Sequence, residues 1–233
     1  MLEAFAWGLL GASSLLLGAV IGLAVDVPTR VVGLVLAFGA GTLISAVAFE
    51  LTEEAYHEGG ADVVALGLAL GAFAYFIGDV LIERRTGGGE STATALLLGA
   101  ILDGIPESAV IGTTLIGGAS IGVPVLAAVF LSNLPESLSA ASGMRNATRG
   151  TGHTLAIWTV VVLVCGASSA LGFVLLDGAS GDAVGLLQSF AAGAVLTMLA
   201  DTMFPDAFKD GGRASGLLTV LGFAVAYLLS TVS

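Results

Sequence analysis

Apolar runs of about 20 residues follow one another along the chain, parted by brief polar interruptions. Each run is long enough for a membrane-crossing helix, and eight are predicted, at roughly 2–25, 31–51, 61–82, 93–117, 121–144, 152–176, 183–206 and 214–232. The connections are rich in Gly, Ser, Thr and charge, and ERRTGGGEST (83–92) is the clearest of them. No segment is long enough for a separate soluble domain. Residues 1–233 therefore read as one all-α integral membrane domain. The first run does not read as a signal peptide, because Glu3 stands where a basic stretch belongs and the apolar stretch is too long.

Composition agrees with lipid as the main solvent. Of 233 residues, 56% are hydrophobic and 11% charged, and the mean hydropathy is +1.02. A soluble domain would carry about 25% charged residues. Glycines at Gly18/Gly22, Gly67/Gly71 and Gly118/Gly122 have the spacing that lets membrane helices approach closely. The single cysteine, Cys165, rules out an intramolecular disulfide and a Cys-rich zinc site. A net charge of −11 argues against nucleic acid as a partner.

The basic residues orient the spans. Arg30, Arg84, Arg85, Arg145, Arg149, Lys209 and Arg213 all fall in alternate connections. The positive-inside rule makes those connections cytoplasmic and puts both termini outside. The opposite side is acidic, with Glu53, Glu54, Glu58 and Asp62 after span 2 and Asp177 and Asp182 after span 6.

Some acidic residues lie far from either edge. Asp103 is ten residues into span 4, about 15 Å from its cytoplasmic end, and Glu107 follows on the same helix face. Glu136 has a similar depth in span 5, with Asn133 one turn before it. Pro106 and Pro135 stand beside these carboxylates, and each removes a helical hydrogen bond and frees a carbonyl oxygen. Such backbone is tolerated in a bilayer only inside the protein or along a wet cavity. Asp103, Glu107, Asn133 and Glu136 therefore predict an oxygen-rich cation site at mid-membrane. One buried Glu or one Pro could be purely structural. Two Pro-Glu-Ser motifs at matched depth in opposed neighbouring spans are harder to explain that way. Glu50, near the outer end of span 2, and Asp201, near the inner end of span 7, extend the site into a route. His57 and His153 read as surface residues, and Cys165 as a small apolar one.

An internal likeness accompanies the motifs. FGAGTLISAVAFELTEE (38–54) matches FAAGAVLTMLADTMFPD (190–206) at Phe38/Phe190, Ala40/Ala192, Gly41/Gly193 and Ala48/Ala200. Opposed spans with shared motifs predict an inverted repeat, with the substrate on its axis.

These features resemble the ZIP (zinc–iron permease) family of divalent-metal transporters. The likeness rests on the Pro-Glu pairs of spans 4 and 5, on AFGAGTLISAVAFEL in span 2 and on FAAGAVLTMLAD in span 7. It implies a transporter and no enzyme, with Asp103, Glu107 and Glu136 as primary metal ligands and Asn133 as a secondary one. The family pattern His-Asn-x-Pro-Glu-Gly is here Asp103-Gly104-Ile105-Pro106-Glu107-Ser108, and Ser132 stands where a His or Gln commonly opens the second motif. Cys165 falls near a family glutamate of span 6. Replacing imidazole by carboxylate shifts the preference from zinc and cadmium towards manganese, iron(II) or magnesium. The expected partners are a divalent metal ion as substrate and the lipid bilayer, with a homodimer left open. No cofactor is expected, and the expected location is the cell membrane.

Two other classes compete. An intramembrane aspartyl protease could use Asp103 and Asp201, but its usual Gly-x-Gly-Asp context is missing and Glu107 and Glu136 would be left unexplained. A transport-dead relative could bind metal as a sensor.

Overall fold

A computed structural model describes residues 1–86, 93–116, 122–144 and 150–232, and side chains within these except those of 85, 86, 93–98, 143, 144 and 232. Most of the 83–92 connection, Gly118, Arg145 and Arg149 lie outside the described residues. The fold is all-α. The helices are α1 Leu2–Ala24, α2 Thr29–Ser45, α3 Glu53–Thr86, α4 Ala93–Thr113, α5 Val123–Met144, α6 Thr151–Leu176, α7 Gly181–Met198, α8 Phe204–Gly211 and α9 Ala214–Val232. Six helices among the described residues are long and apolar enough to cross a membrane.

One of the six, Thr29–Arg84, runs 56 residues. At 1.5 Å per residue it would be about 84 Å long if straight, far beyond one bilayer. It breaks at Gly60, where φ is 74° and ψ is −179°. The expected connection after residue 51 is therefore helical up to the glycine. Glu53, Glu54 and Glu58 are sound helix formers, and only a residue without Cβ takes that backbone conformation at no steric cost. The expected end of span 7 moves in the same way. Helix continues through α8 and turns at Gly212, with φ 66°.

Large apolar side chains cover the outside. Leu163, Leu171 and Leu175 of α6 and Leu217, Val220 and Leu228 of α9 are exposed. A belt of this kind fits lipid and not water. Few of these helices have a polar stripe, so apolarity alone does not choose their neighbours, and close backbone approach does. A Cβ on Gly18 would meet the Leu134 carbonyl oxygen, and one on Gly22 would lie 2.7 Å from that of Leu138, so α1 lies tightly on α5. A Cβ on Gly67 would strike Ser189, and one on Gly71 the Phe190 carbonyl oxygen, so α3 lies on α7. Two of the three glycine pairs thus serve close helix contact.

The helices form two sets. In one, α1 packs on α5 and α6, and α4 on α6. In the other, α3 packs on α7, and α2 on α8 and α9. Narrower contacts join the sets, chiefly α2 with α5, α4 with α7 and α3 with α4. These pairings repeat when α1 is exchanged with α6, α2 with α7, α3 with α9 and α4 with α5.

Finer features obey the same exchange. A Cβ on Gly71 would strike the carbonyl of Phe190, and one on Gly222 that of Phe38. The helices α2 and α7 each pass into a π-helical segment, Ala46–Thr52 and Leu199–Met203. Gly60 and Gly212, both with positive φ, each stand 22 residues after the matched Phe38 and Phe190. Nothing in the residue pattern announced the π segments.

Candidate metal centre

The helices α4 and α5 both run through their prolines, Pro106 and Pro135. Their inward faces bring Asp103 and Glu136 into side-chain hydrogen-bonding contact. A carboxyl pair this close needs a proton or a cation between its oxygens. Glu107, one turn along α4 from Asp103, lies within electrostatic reach of both. It is 4% exposed, and Asn133 is 2% exposed. Four buried atoms of the predicted site have no hydrogen-bond partner: Asp103 Oδ1, Glu107 Oε1, Glu107 Oε2 and Asn133 Nδ2. Leaving a buried polar atom unpaired costs about 1–3 kcal/mol, and more for a charged one. Oxygens held in this state would be relieved by a proton or by a cation.

Asp103, Glu107 and Glu136 are therefore gathered, though not as a closed cage, and Asn133 is buried one turn before Glu136 on α5. Among the described residues, no three His, Cys, Asp or Glu side chains converge closely enough to hold a metal by themselves. Asp103 and Glu136 open onto one cavity and Glu107 onto another.

The larger cavity has a volume of about 220 Å³, and its wall includes Tyr75, Asp79, Asp103, Glu136, Thr202 and Asp206. Asp79 is five residues from Arg84 and Asp206 three from Lys209, so this cavity lies towards the basic end of the bundle. The smaller, of about 20 Å³, borders Glu107 and is otherwise apolar, with Val47, Val110, Val125, Val129 and Val195 in its wall. On that side valines close the way.

Several contributors escaped the sequence reading. Tyr75 of α3 is 4% exposed, and its hydroxyl donates to Asp103. It reaches across from the other helix set. Asp79, one turn further along α3, shares the cavity. An aspartate inside an apolar run was the available signal for it. Cys165, expected as a small apolar residue, also belongs here. It is buried beside the site, within reach of Glu107 and Glu136, and its sulfur fills space left by Gly104, where a Cβ would lie 2.7 Å away.

The two route residues differ. Glu50 sits in the first π segment, half-buried and within reach of the Glu53 and Glu54 charges. Asp201 is exposed, and its charge acts on Asp79, while its neighbour Thr202 and Asp206 line the cavity. Asp103 meets Tyr75 and Glu136, so the aspartate pair that a protease would need has no support here.

No protein-family model matches the chain. A search of curated proteins finds "Putative zinc transporter At3g08650" of Arabidopsis thaliana, 27% identical over 205 residues. The chain is a distant relative of a protein named for zinc transport. The match covers 83% of this chain and 33% of that relative, so the chain spans about a third of the protein it resembles. The six long apolar helices fit a multi-pass membrane protein.

Proposed function

We propose that the chain is a ZIP-like transporter of a divalent cation. In this reading it crosses the cell membrane eight times as an inverted repeat, with both termini outside. Its substrate passes through Asp103, Glu107, Asn133 and Glu136. The observation that carries the reading is the set of buried, unpartnered carboxylate oxygens on two proline-bearing helices.

The cavities support alternating access. The wide one joins Asp103 and Glu136 to the basic, cytoplasmic end, while valines close the outer side of Glu107. This is an inward-open arrangement. Movement of the α1–α4–α5–α6 set against the other would close the first cavity and open the second. An incomplete cage suits the task, because a transported ion must leave as readily as it enters.

Carboxylates, an amide and freed carbonyls make a hard-oxygen donor set. Zinc remains a substrate, with manganese and iron(II) better matched than in a histidine-based site. Purified protein in liposomes tests this with a flux panel over Zn, Cd, Mn, Fe(II), Co and Mg. Asp103→Ala, Glu107→Ala and Glu136→Ala are each expected to abolish uptake. Wild-type uptake in all three would remove the site assignment.

A further inference from the structure

One stripe on each of two helices follows the proposed route. On α2 and its continuation, Leu36 lines the wide cavity and Leu43 and Val47 the narrow one. On α7 and its π-helical continuation, Val195 lines the narrow cavity and Met198 and Thr202 the wide one. Beyond the valines, the first π segment carries Glu50 and the first turn of α3 carries Glu54. On α7, Gln188 stands two turns before Val195 on the same face.

These three meet. Gln188 is 2% exposed and hydrogen-bonds to the Glu54 carboxylate. Its own Oε1 is buried without a partner. Glu50 lies close enough to feel the Glu54 and Glu53 charges. The backbones here are pressed together, since a Cβ on Gly185 would lie 2.8 Å from the Ala55 carbonyl oxygen. A leucine or valine would serve a lipid-facing or packing position at far lower desolvation cost than a buried amide with an orphaned oxygen.

The helix exchange supplies a second argument. Phe38 matches Phe190, and the same offset pairs Glu50 with Thr202, Glu54 with Asp206 and Leu36 with Gln188. Thr202, Asp206 and Leu36 line the wide inner cavity. Their counterparts take the corresponding places at the outer mouth, where a carboxylate replaces the Thr202 hydroxyl, an amide replaces Leu36, and Glu54 keeps the carboxylate of Asp206.

We propose that Glu54, Glu50 and the Gln188 amide oxygen form a second divalent-cation site at the outer mouth, which loads the ion before it passes the valines. Reorientation of the amide turns Oε1 towards the Glu54 carboxylate, so cation binding replaces the present hydrogen bond. The site rests on the transporter reading for its purpose, though not for its chemistry.

Manganese(II) binding to the detergent-purified chain, counted by equilibrium dialysis, tests it in a Glu107→Gln/Glu136→Gln background. That background is expected to retain manganese. Adding Glu54→Gln or Gln188→Leu should weaken the retained binding about tenfold or more, and Gln188→Glu should tighten it about tenfold. In liposomes, Gln188→Leu alone should raise the KM for external metal with Vmax held. No retained manganese, or retained binding indifferent to both Glu54→Gln and Gln188→Leu, overturns the proposal. Gln188→Glu guards against misfolding, because a variant that binds more tightly is folded. The central reading stands or falls separately, on whether flux depends on Asp103 and Glu136.

Discussion

Replacing Glu107 by leucine should make the metal-free protein more stable and its metal response weaker. Both Glu107 oxygens are buried without partners, and its cavity is otherwise lined by apolar side chains, valines among them. At about 1–3 kcal/mol for each orphaned atom, removing two relieves about 2–6 kcal/mol, and leucine keeps most of the volume. A chain of this size shifts its unfolding midpoint by about 2–4 °C per kcal/mol, so the rise in chelator should be at least about 4 °C. Metal acts in the opposite sense. An ion at a hundred times its Kd stabilises a single site by about 2.7 kcal/mol, and Glu107→Leu should lose that share of the wild-type response. A thiol-reactive fluorogenic dye reads both quantities, because Cys165 is the only cysteine and is buried until the protein unfolds. A lower midpoint in chelator, or a metal response equal to that of wild type, would refute the reasoning.

Further expectations follow from the geometry. Tyr75→Phe removes a donor that competes with the cation for Asp103, so the KM for metal should fall, by up to about tenfold, and a rise would contradict that competition. In a Cys165→Ala background, Ser139→Cys should react with an impermeant thiol reagent added on the side of Arg84 and Lys209, while Val129→Cys stays protected; equal labelling would speak against a route open on one side only. Gly71→Val and Gly222→Val would each drive a side chain into a backbone carbonyl, of Phe190 and Phe38 respectively. Each should cost at least about 1–3 kcal/mol, seen as similar drops in unfolding midpoint, and a drop in only one would contradict their matched roles.

Much of the architecture was legible because a bilayer imposes one length on everything that crosses it. The starts of α1, α4, α6 and α9 fall within a residue of the expected spans. The places where helix overran expectation, up to Gly60 and Gly212, follow from the same physics. Polarity marks where lipid ends, while a helix ends only where a residue leaves helical geometry. The buried acidic residues of α4 and α5 were legible for a related reason. A carboxylate or proline deep in an apolar run is costly enough to stand out, as Asp103, Glu107 and Glu136 do. Asp79 carried the same signal more faintly, near the end of its span.

By itself, then, the sequence determined the all-α class with its long apolar helices, the starts of several of them, the acidic residues inside those apolar runs and the likeness of 38–54 to 190–206. Tertiary structure decided which helix faces meet, the π segments, the reach of Tyr75 to Asp103, the pairing of Gln188 with Glu54 and the side on which the site is open. The division has one cause. Helices apolar all round carry no stripe that names a neighbour, and their partners are chosen by backbone approach at glycines such as Gly18 and Gly71, a fit that exists only in three dimensions.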